Sequence, residues 1–500
     1  MSGLTSVFGR DLPGLHEAAV LGVLAFLSTA VYRLWLHPLR SYPGPRWWAI
    51  WRGPYLWSTI RGTIVRDVQR LHTVYGSVVR IAPDELSFIT PEASKPIYTS
   101  NPEFPKDPMH LPPFHNGVPG ILAADHVHHR RYRRLLASAF SDRGLRAQQQ
   151  TIQQHVDRLI GRLRENCSNG PLDMTRWYNW ATFDIIGDLA FGESFGCLDN
   201  IETHPWIASI QGNVKAIPII NALRRYGLTW ILGLLPTTPK LLEMRRRNEQ
   251  FTTRKVDRRL QHGGVARGDL WDSVLGATPD GEPPMSRDEM ISNTSAIVLA
   301  GSETSATLLS GCTWLLLTNP EHLHTLTERV RSQFARAADI DSHSARQVDG
   351  LSAVLEESLR LYPPVPMQSN RIVPPKGARI AGEWVPGGTS VAVQKFVAGR
   401  SPENFHRPDE FLPQRWQGKG GFANDRQGAS QPFSIGLRNC IGRELAYTEV
   451  RLILARLLWH FNLRLGPGHK EGTEWLAEQR TWILWDKKPL WVVLEPRSTD

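Results

Sequence analysis

The sequence predicts a mainly α-helical fold with a small β region, carried behind a single N-terminal membrane-spanning helix. Residues Ala18 to Leu36 are almost wholly apolar, close to the ~20 residues that cross a bilayer as a helix. A second long helical stretch opens at Ser286, with Glu289 completing a capping box, and stops at Asn319-Pro320. Alternating apolar stretches are short and few, at residues 77–90, 379–393 and 480–495.

The 500 residues contain no internal repeat, and no linker or low-complexity tract divides them after residue 50. Two parts are expected: a membrane anchor over residues 1–40 and one large domain over 41–500. A domain of that size buries enough surface to enclose a cofactor and a substrate cavity. The four cysteines, Cys167, Cys197, Cys312 and Cys440, form no Cys-x-x-Cys pair. That argues against a disulfide framework or structural zinc and puts the domain on a reducing side. The net charge of +10 raises nucleic acid as a partner, but the basic residues are scattered and no nucleic-acid-binding motif accompanies them. An anionic membrane surface or an acidic redox partner explains the charge more economically.

Arg33 is the only charge in the apolar stretch. A cleaved signal peptide is the rival reading, weakened by Arg10 standing beside Asp11 and by Arg40, Arg46 and Arg52 following the span. Positive charge on that side keeps the domain cytoplasmic. Trp35, Trp47, Trp48, Trp51 and Trp57 suit a headgroup interface, and Tyr42-Pro43-Gly44-Pro45 is expected to form a stiff hinge. Residues 77–90 read as two strands around a Pro-Asp turn, and 101–120, rich in Pro, Gly and His, as a loop.

His126, His128 and His129 open a basic helical stretch. No paired cysteine or acid stands at zinc-ligand spacing. His129 and Arg133, four apart, share a face. Arg130, Arg131 and Arg134 point elsewhere, either as a solvated face or as a docking surface for an acidic partner. Residues 173–198 read as a packing helix running into a glycine turn, and 262–286 as a polar loop.

Midway along the 286–319 helix lies Ala300-Gly301-Ser302-Glu303-Thr304, flanked by apolar residues. An acid and a hydroxyl there need a reason, because burying them unpaired is costly. Gly301 is expected to admit a ligand close to the backbone, with Thr304 offering a hydroxyl and Glu303 passing protons; the alternative is a Gly/Thr kink with Glu303 turned to solvent. Glu357 and Arg360, three apart on the next helix, can pair. Residues 379–393 read as one hairpin around Gly382 and Gly387-Gly388, and 480–495 as a terminal strand.

Near the C-terminus stands Pro432-Phe433-Ser434-Ile435-Gly436-Leu437-Arg438-Asn439-Cys440-Ile441-Gly442, followed by an apolar helical pattern. A thiol in a tight loop at a helix N-terminus is expected to have a lowered pKa. Gly436 and Gly442 permit close approach of a flat ligand, Phe433 can cover the sulfur, and Arg438 can meet an anionic group on the ligand's edge. A thiolate, a cation and an apolar cover suit a haem with Cys440 as the axial ligand of its iron. The bland alternative is a buried cysteine in a glycine-rich turn.

The spacing Phe-x-x-Gly-x-Arg-x-Cys-x-Gly resembles the haem-binding loop of the cytochrome P450 family, and the other stretches match that family in order. The resemblance spans residues 40–497 and implies the cytochrome P450 fold, with haem b bound through Cys440, Phe433 and Gly436. It implies that His129, Arg133, Arg371 and Arg438 surround the haem propionates, although the family usually has Trp at the position of His129. It implies that Glu357 and Arg360 join Arg415 in a structural triad, with Gln414 where the family often has Glu. Ala300, Val365, Pro366, Met367 and Gln368 are then expected to face the substrate. The 101–120 loop either closes over that substrate or is an ordinary surface loop.

The implied activity is a haem-thiolate monooxygenase that inserts one atom of O2 into an apolar small molecule, with Thr304 and Glu303 as catalytic residues. No flavin or NADPH fingerprint is present, so electrons must come from NADPH through a separate cytochrome P450 reductase, with cytochrome b5 as a further donor. The resemblance is to membrane-anchored, microsomal members and to fungal enzymes of terpenoid, polyketide or alkaloid metabolism. It implies a single-pass endoplasmic reticulum protein whose domain faces the cytosol. Rival readings are a haem-thiolate isomerase or dehydratase that needs no external electrons, and a haem-based sensor or carrier. Neither needs the Glu303-Thr304 pair.

Overall fold

The computed structural model describes residues 13–110, 117–234, 238–261, 269–275, 282–367, 369–418, 420–467 and 474–497. Gln368, the middle of the 101–120 loop, parts of the 262–286 loop and the extreme N-terminus with Arg10 and Asp11 lie outside the described residues. The chain runs through α1 (Pro13–Val31), β1 (Val78–Ala82), β2 (Glu85–Phe88), α2 (His126–Leu136), α3 (Asp142–Asn166), β3 (Leu172–Asp173) and α4 (Met174–Phe191). It continues through α5 (Pro205–Arg225), α6 (Thr238–Gln261), α7 (Arg287–Leu317), α8 (Leu351–Leu361), β4 (Arg371–Ile372), β5 (Ala378–Ile380), β6 (Glu383–Val385) and β7 (Ser390–Val393). Last come α9 (Arg443–His460), β8 (Phe461–Leu465), β9 (Arg480–Thr481), β10 (Trp485–Asp486) and β11 (Trp491–Pro496).

Helix α1 continues as a π-helical turn to Leu36. The stretch His16–Leu36 is long and apolar enough to cross a membrane, and none of it is buried in the protein. The expected hinge behind it is docked instead. Arg80 donates its backbone N–H to Pro43 O at 2.7 Å, and its guanidinium reaches Arg33 O at 3.0 Å and Leu39 O at 3.4 Å. A Cβ on Gly44 would lie 2.4 Å from Arg80 O. The prolines shape this segment, and contact with β1 immobilises it.

The mixed sheet has the order β1-β2-β7-β4. β1 and β2 pair antiparallel across the Pro83-Asp84 turn, while β2 and β7 pair parallel. The expected single hairpin over 379–393 is therefore divided. β5 and β6 close around Gly382, and β7 crosses to the other sheet. The tail is likewise three pieces, a β9–β10 hairpin and β11 between β3 and β8. Pro489 interrupts the alternation that suggested one strand, since proline cannot donate to a ladder.

The core is built on α7 lying along α4, with α3 and α9 packed around them. Helix α4 is buried on almost every side, as an element enclosed by others must be, and ends at Gly192 in the left-handed region, φ 68°. Helix α7 starts with the expected capping box, Ser286 with Glu289. Two of its buried hydroxyls are satisfied one turn back, Ser302 on Val298 O at 2.6 Å and Ser310 on Ala306 O at 2.7 Å. Gly301 serves packing here. A Cβ would lie 2.8 Å from Ile186 Cδ1 of α4, so the missing side chain lets the two helices close rather than admitting a ligand. The 262–286 region is not wholly a polar loop, because Leu270, Trp271 and Val274 are buried.

Candidate active site

The loop before α9 is fastened from four directions. Cys440 donates its N–H to Phe433 O at 2.9 Å, and Asn439 donates to Gly436 O at 3.1 Å. Lys395 Nζ donates to Pro432 O at 2.8 Å, and Arg133 of α2 donates to Asn439 O at 2.5 Å and to its side chain. Gly436 has φ 79°, and a Cβ there would meet Tyr98 O at 2.0 Å. Only glycine fits that position. The Phe433 ring packs against Tyr447, with centroids 5.1 Å apart.

Cys440 keeps an accessible face, yet protein surrounds it closely enough that desolvation pushes its pKa up. The Gly442 N–H and the charges of Lys395, Arg133 and Arg443 favour the thiolate without overcoming burial. The expected lowering by the helix terminus is therefore not what the polypeptide alone produces. α9 begins at Arg443, and what its N-terminal end supplies through the Gly442 N–H is outweighed by burial.

His129, Arg133, Arg371 and Arg438 lie in one electrostatic neighbourhood. Arg438 forms a two-pronged pair with Glu103, Nη2 to Oε1 at 2.8 Å, and donates to Ala124 O at 2.7 Å. Burial pushes the Glu103 carboxyl up, but Arg438, His126 and Arg371 outweigh it and hold it at about 2. His129 is pushed down to about 3 by burial and then by Arg438 and Lys106, so it is neutral at pH 7. Lys106 is itself lowered to about 7 by burial, Arg371 and Arg438. It bridges Arg371 through the backbone. Arg371 is buried, stands 5.7 Å from the Tyr98 ring and carries an Nη1 with no hydrogen-bond partner.

A buried guanidinium N–H left unpaired is costly, and the cations here outnumber Glu103. Both facts fit carboxylates of a bound group, and with the Cys440 thiol they fit a haem. Arg133, by contrast, is committed to holding the cysteine loop. Arg131 and Arg134 are not a free face either. They pair with Glu289 and Glu282 respectively.

On α7, Ala300 is exposed and Thr304 half-buried beside the buried Ser302 and Glu303, and the Thr304 hydroxyl donates to Ala300 O at 2.5 Å. Glu303 is buried and paired with Lys487. Val365 and Met367 are half-buried just beyond α8. Glu357, Arg360 and Arg415 come together in full burial. Arg360 donates to Glu357 at 2.7 Å and Arg415 donates to Glu357 at 3.0 Å, while Leu412 N–H and Trp416 Nε1 donate to the same carboxylate. Asp425 adds a second acid to Arg415.

Sequence reasoning missed Glu103, Lys106, Asn439 and Lys487 as partners. Glu103 and Lys106 offered only the signal of charges in a Pro-rich loop.

The profile of the cytochrome P450 family matches residues 42–489. The chain is 73% identical, over 96% of its length and 97% of the relative's, to averantin hydroxylase of Aspergillus parasiticus. It is 65% identical, over 95% of its length and 90% of the relative's, to averantin hydroxylase of Dothistroma septosporum. Versicolorin B desaturase of the latter fungus is 40% identical over 98% of this chain and 94% of the relative. With its cysteine loop, its helix pair α7–α9 and a match covering nearly the whole fold, the chain belongs to the cytochrome P450 family and is a monooxygenase of fungal secondary metabolism.

Proposed function

We propose that this chain hydroxylates averantin. The observation that carries the reading is its 73% and 65% identity to two averantin hydroxylases, against 40% to a versicolorin B desaturase. Residues 41–500 form the haem-thiolate domain and residues 1–40 the anchor. A haem held through the Cys440 thiolate would supply the oxygen activation. Arg371, Arg438, Lys106 and neutral His129 hold the propionates, and Arg133 keeps Asn439, and so the cysteine, in place. Ala300, Val365 and Met367 line the substrate side and exclude water. Glu303 and Thr304 would hold and pass protons on the α7 side of the site.

Electrons come from NADPH through a cytochrome P450 reductase, with cytochrome b5 as a second donor. The reading of a single-pass anchor in the endoplasmic reticulum membrane is supported by apolar side chains exposed beyond α1. Trp47 and Trp57 flank it. Tyr226, Trp230 and Leu234 follow α5, which packs on the Gly53–Arg61 helix.

The test is reconstitution with reductase, NADPH and averantin. A product carrying one added oxygen atom is expected, dependent on NADPH. Oxidation of versicolorin B with averantin untouched would overturn the substrate, and turnover without reductase would point to an isomerase.

A further inference from the structure

Lys395 stands against the cysteine loop with its backbone fixed on both sides. It opens a short helix, Lys395–Gly399, just after β7. Gln394 donates its N–H to Phe88 O at 2.9 Å, and Phe396 donates to Pro366 O at 3.0 Å. The end of β7 and the cysteine loop also share a neighbour. Val393 donates its N–H to the Tyr98 hydroxyl at 3.0 Å, while Tyr98 O is the atom that closes Gly436 to any side chain. The frame, rather than the lysine side chain, therefore sets the span from Lys395 to the loop.

An ammonium has three N–H donors. Lys395 Nζ gives one to Pro432 O at 2.8 Å, and among the described residues no carboxylate pairs with it. Burial draws its pKa down to about 8, against the opposing pull of Cys440, which leaves it a cation at pH 7. The relation is mutual. Against the burial that pushes the Cys440 thiol up, Lys395 is the strongest of the three charges that favour the thiolate, ahead of Arg133 and Arg443. Arg133 is committed to Asn439, and Arg443 is exposed, where salt and water screen it.

We infer that Lys395 acts on the reaction through the cysteine, its charge setting how strongly the Cys440 sulfur gives electron density to the iron, a reading that rests on Cys440 being the haem ligand. A cation beside the sulfur favours negative charge there. It therefore favours the state that carries one more electron, and it draws density back from the metal. No bond forms or breaks in this role. The rival reading is that Lys395 only braces the loop through Pro432.

The experiment compares Lys395→Gln, Lys395→Met, Lys395→Arg and Arg443→Gln in the full-length, membrane-bound holoenzyme at pH 7. It reads the ferric–ferrous midpoint potential, the infrared stretch of carbon monoxide on the ferrous enzyme, and haem content, none of which needs averantin or reductase. The Gln amide offers a donor for Pro432 O without the charge, and Arg offers both. At a fixed applied potential the ratio of ferrous to ferric enzyme should fall about ten-fold in Lys395→Gln and Lys395→Met, a shift of about 59 mV to the negative side for one electron. That is the low end of what a nearby opposite charge does to a charge equilibrium, because Arg133 and the Gly442 N–H remain. The carbon monoxide stretch should move to lower frequency as the sulfur pushes more density through the iron. Lys395→Arg should stay near the wild-type values, and Arg443→Gln should move them less than Lys395→Gln does.

Wild-type potential and stretch in Lys395→Gln would overturn the role of the charge, leaving the Pro432 bond as all that Lys395 supplies. An equal shift in Arg443→Gln would overturn it as well, since a diffuse field would then account for the effect. If Lys395→Met loses haem, Lys395→Gln decides alone, and loss of haem there too would make Lys395 a brace and overturn the proposal. A wild-type ferrous carbon monoxide complex without the thiolate-type Soret band would instead overturn Cys440 as the ligand.

Discussion

Gly436 is held to one backbone conformation by its positive φ and to one residue type by Tyr98 O. Gly436→Ala should cost about 1–3 kcal/mol from backbone strain alone and more from the clash, read as lower denaturant resistance and lost haem content. Glu103 offers a pH test. Its folded pKa of about 2 lies below its ordinary 4.5, so its contribution is fully present above about pH 4.5 and is lost as pH falls towards 2. In Glu103→Gln the stability curve should be flatter over that interval, by denaturant titration at each pH. The cysteine loop was legible because its chemistry is packed into adjacent residues. The partners were not: Glu103 is 335 positions from Arg438 and Lys487 is 184 from Glu303, and no local spacing reports such a pair. Thr304 illustrates the other limit. A threonine in mid-helix could be expected to need a partner, but its bond to Ala300 O is one any helix provides.

At the scale of elements, helices were easier to read than strands. Ser286 with Glu289 fixed where α7 begins through contacts three residues apart. β7 gave no comparable sign that it would leave β5 and β6 and lie parallel to β2, because parallel pairing depends on chain hundreds of residues away. The connection from α8 to the segment before the cysteine loop rests on Glu357, whose carboxyl burial would push up and Arg360 and Arg415 pull further down. Glu357→Ala leaves two buried guanidinium groups without that partner. A loss of about 3–5 kcal/mol is expected, measured by denaturation. Replacing Glu357 by Gln should recover only part, since Leu412 and Trp416 donate to different carboxylate oxygens, and the single amide oxygen keeps one of those bonds while the charge is lost.

For the whole molecule, the apolar stretch His16–Leu36 should keep the full-length chain in the membrane pellet through alkaline carbonate extraction, while a chain begun at residue 41 should be released, at least in part. Protease added to sealed microsomes should degrade the domain, and protection would show the opposite orientation. Charge and hydropathy alone carried this reading of the anchor. They could not show that the segment behind it is clamped, since Pro43 and Arg80 meet only when β1 forms. That clamp has a mechanical consequence. A body on a loose tether tumbles through every heading above the plane that holds it. With the Arg80 backbone held by Pro43 and its guanidinium by the Arg33 and Leu39 carbonyls, an anchor set in a bilayer would join the body through a stem rather than a loose tether. A partner held in the same bilayer would then meet a steadier face, and the rotational search that slows most protein encounters would be shortened.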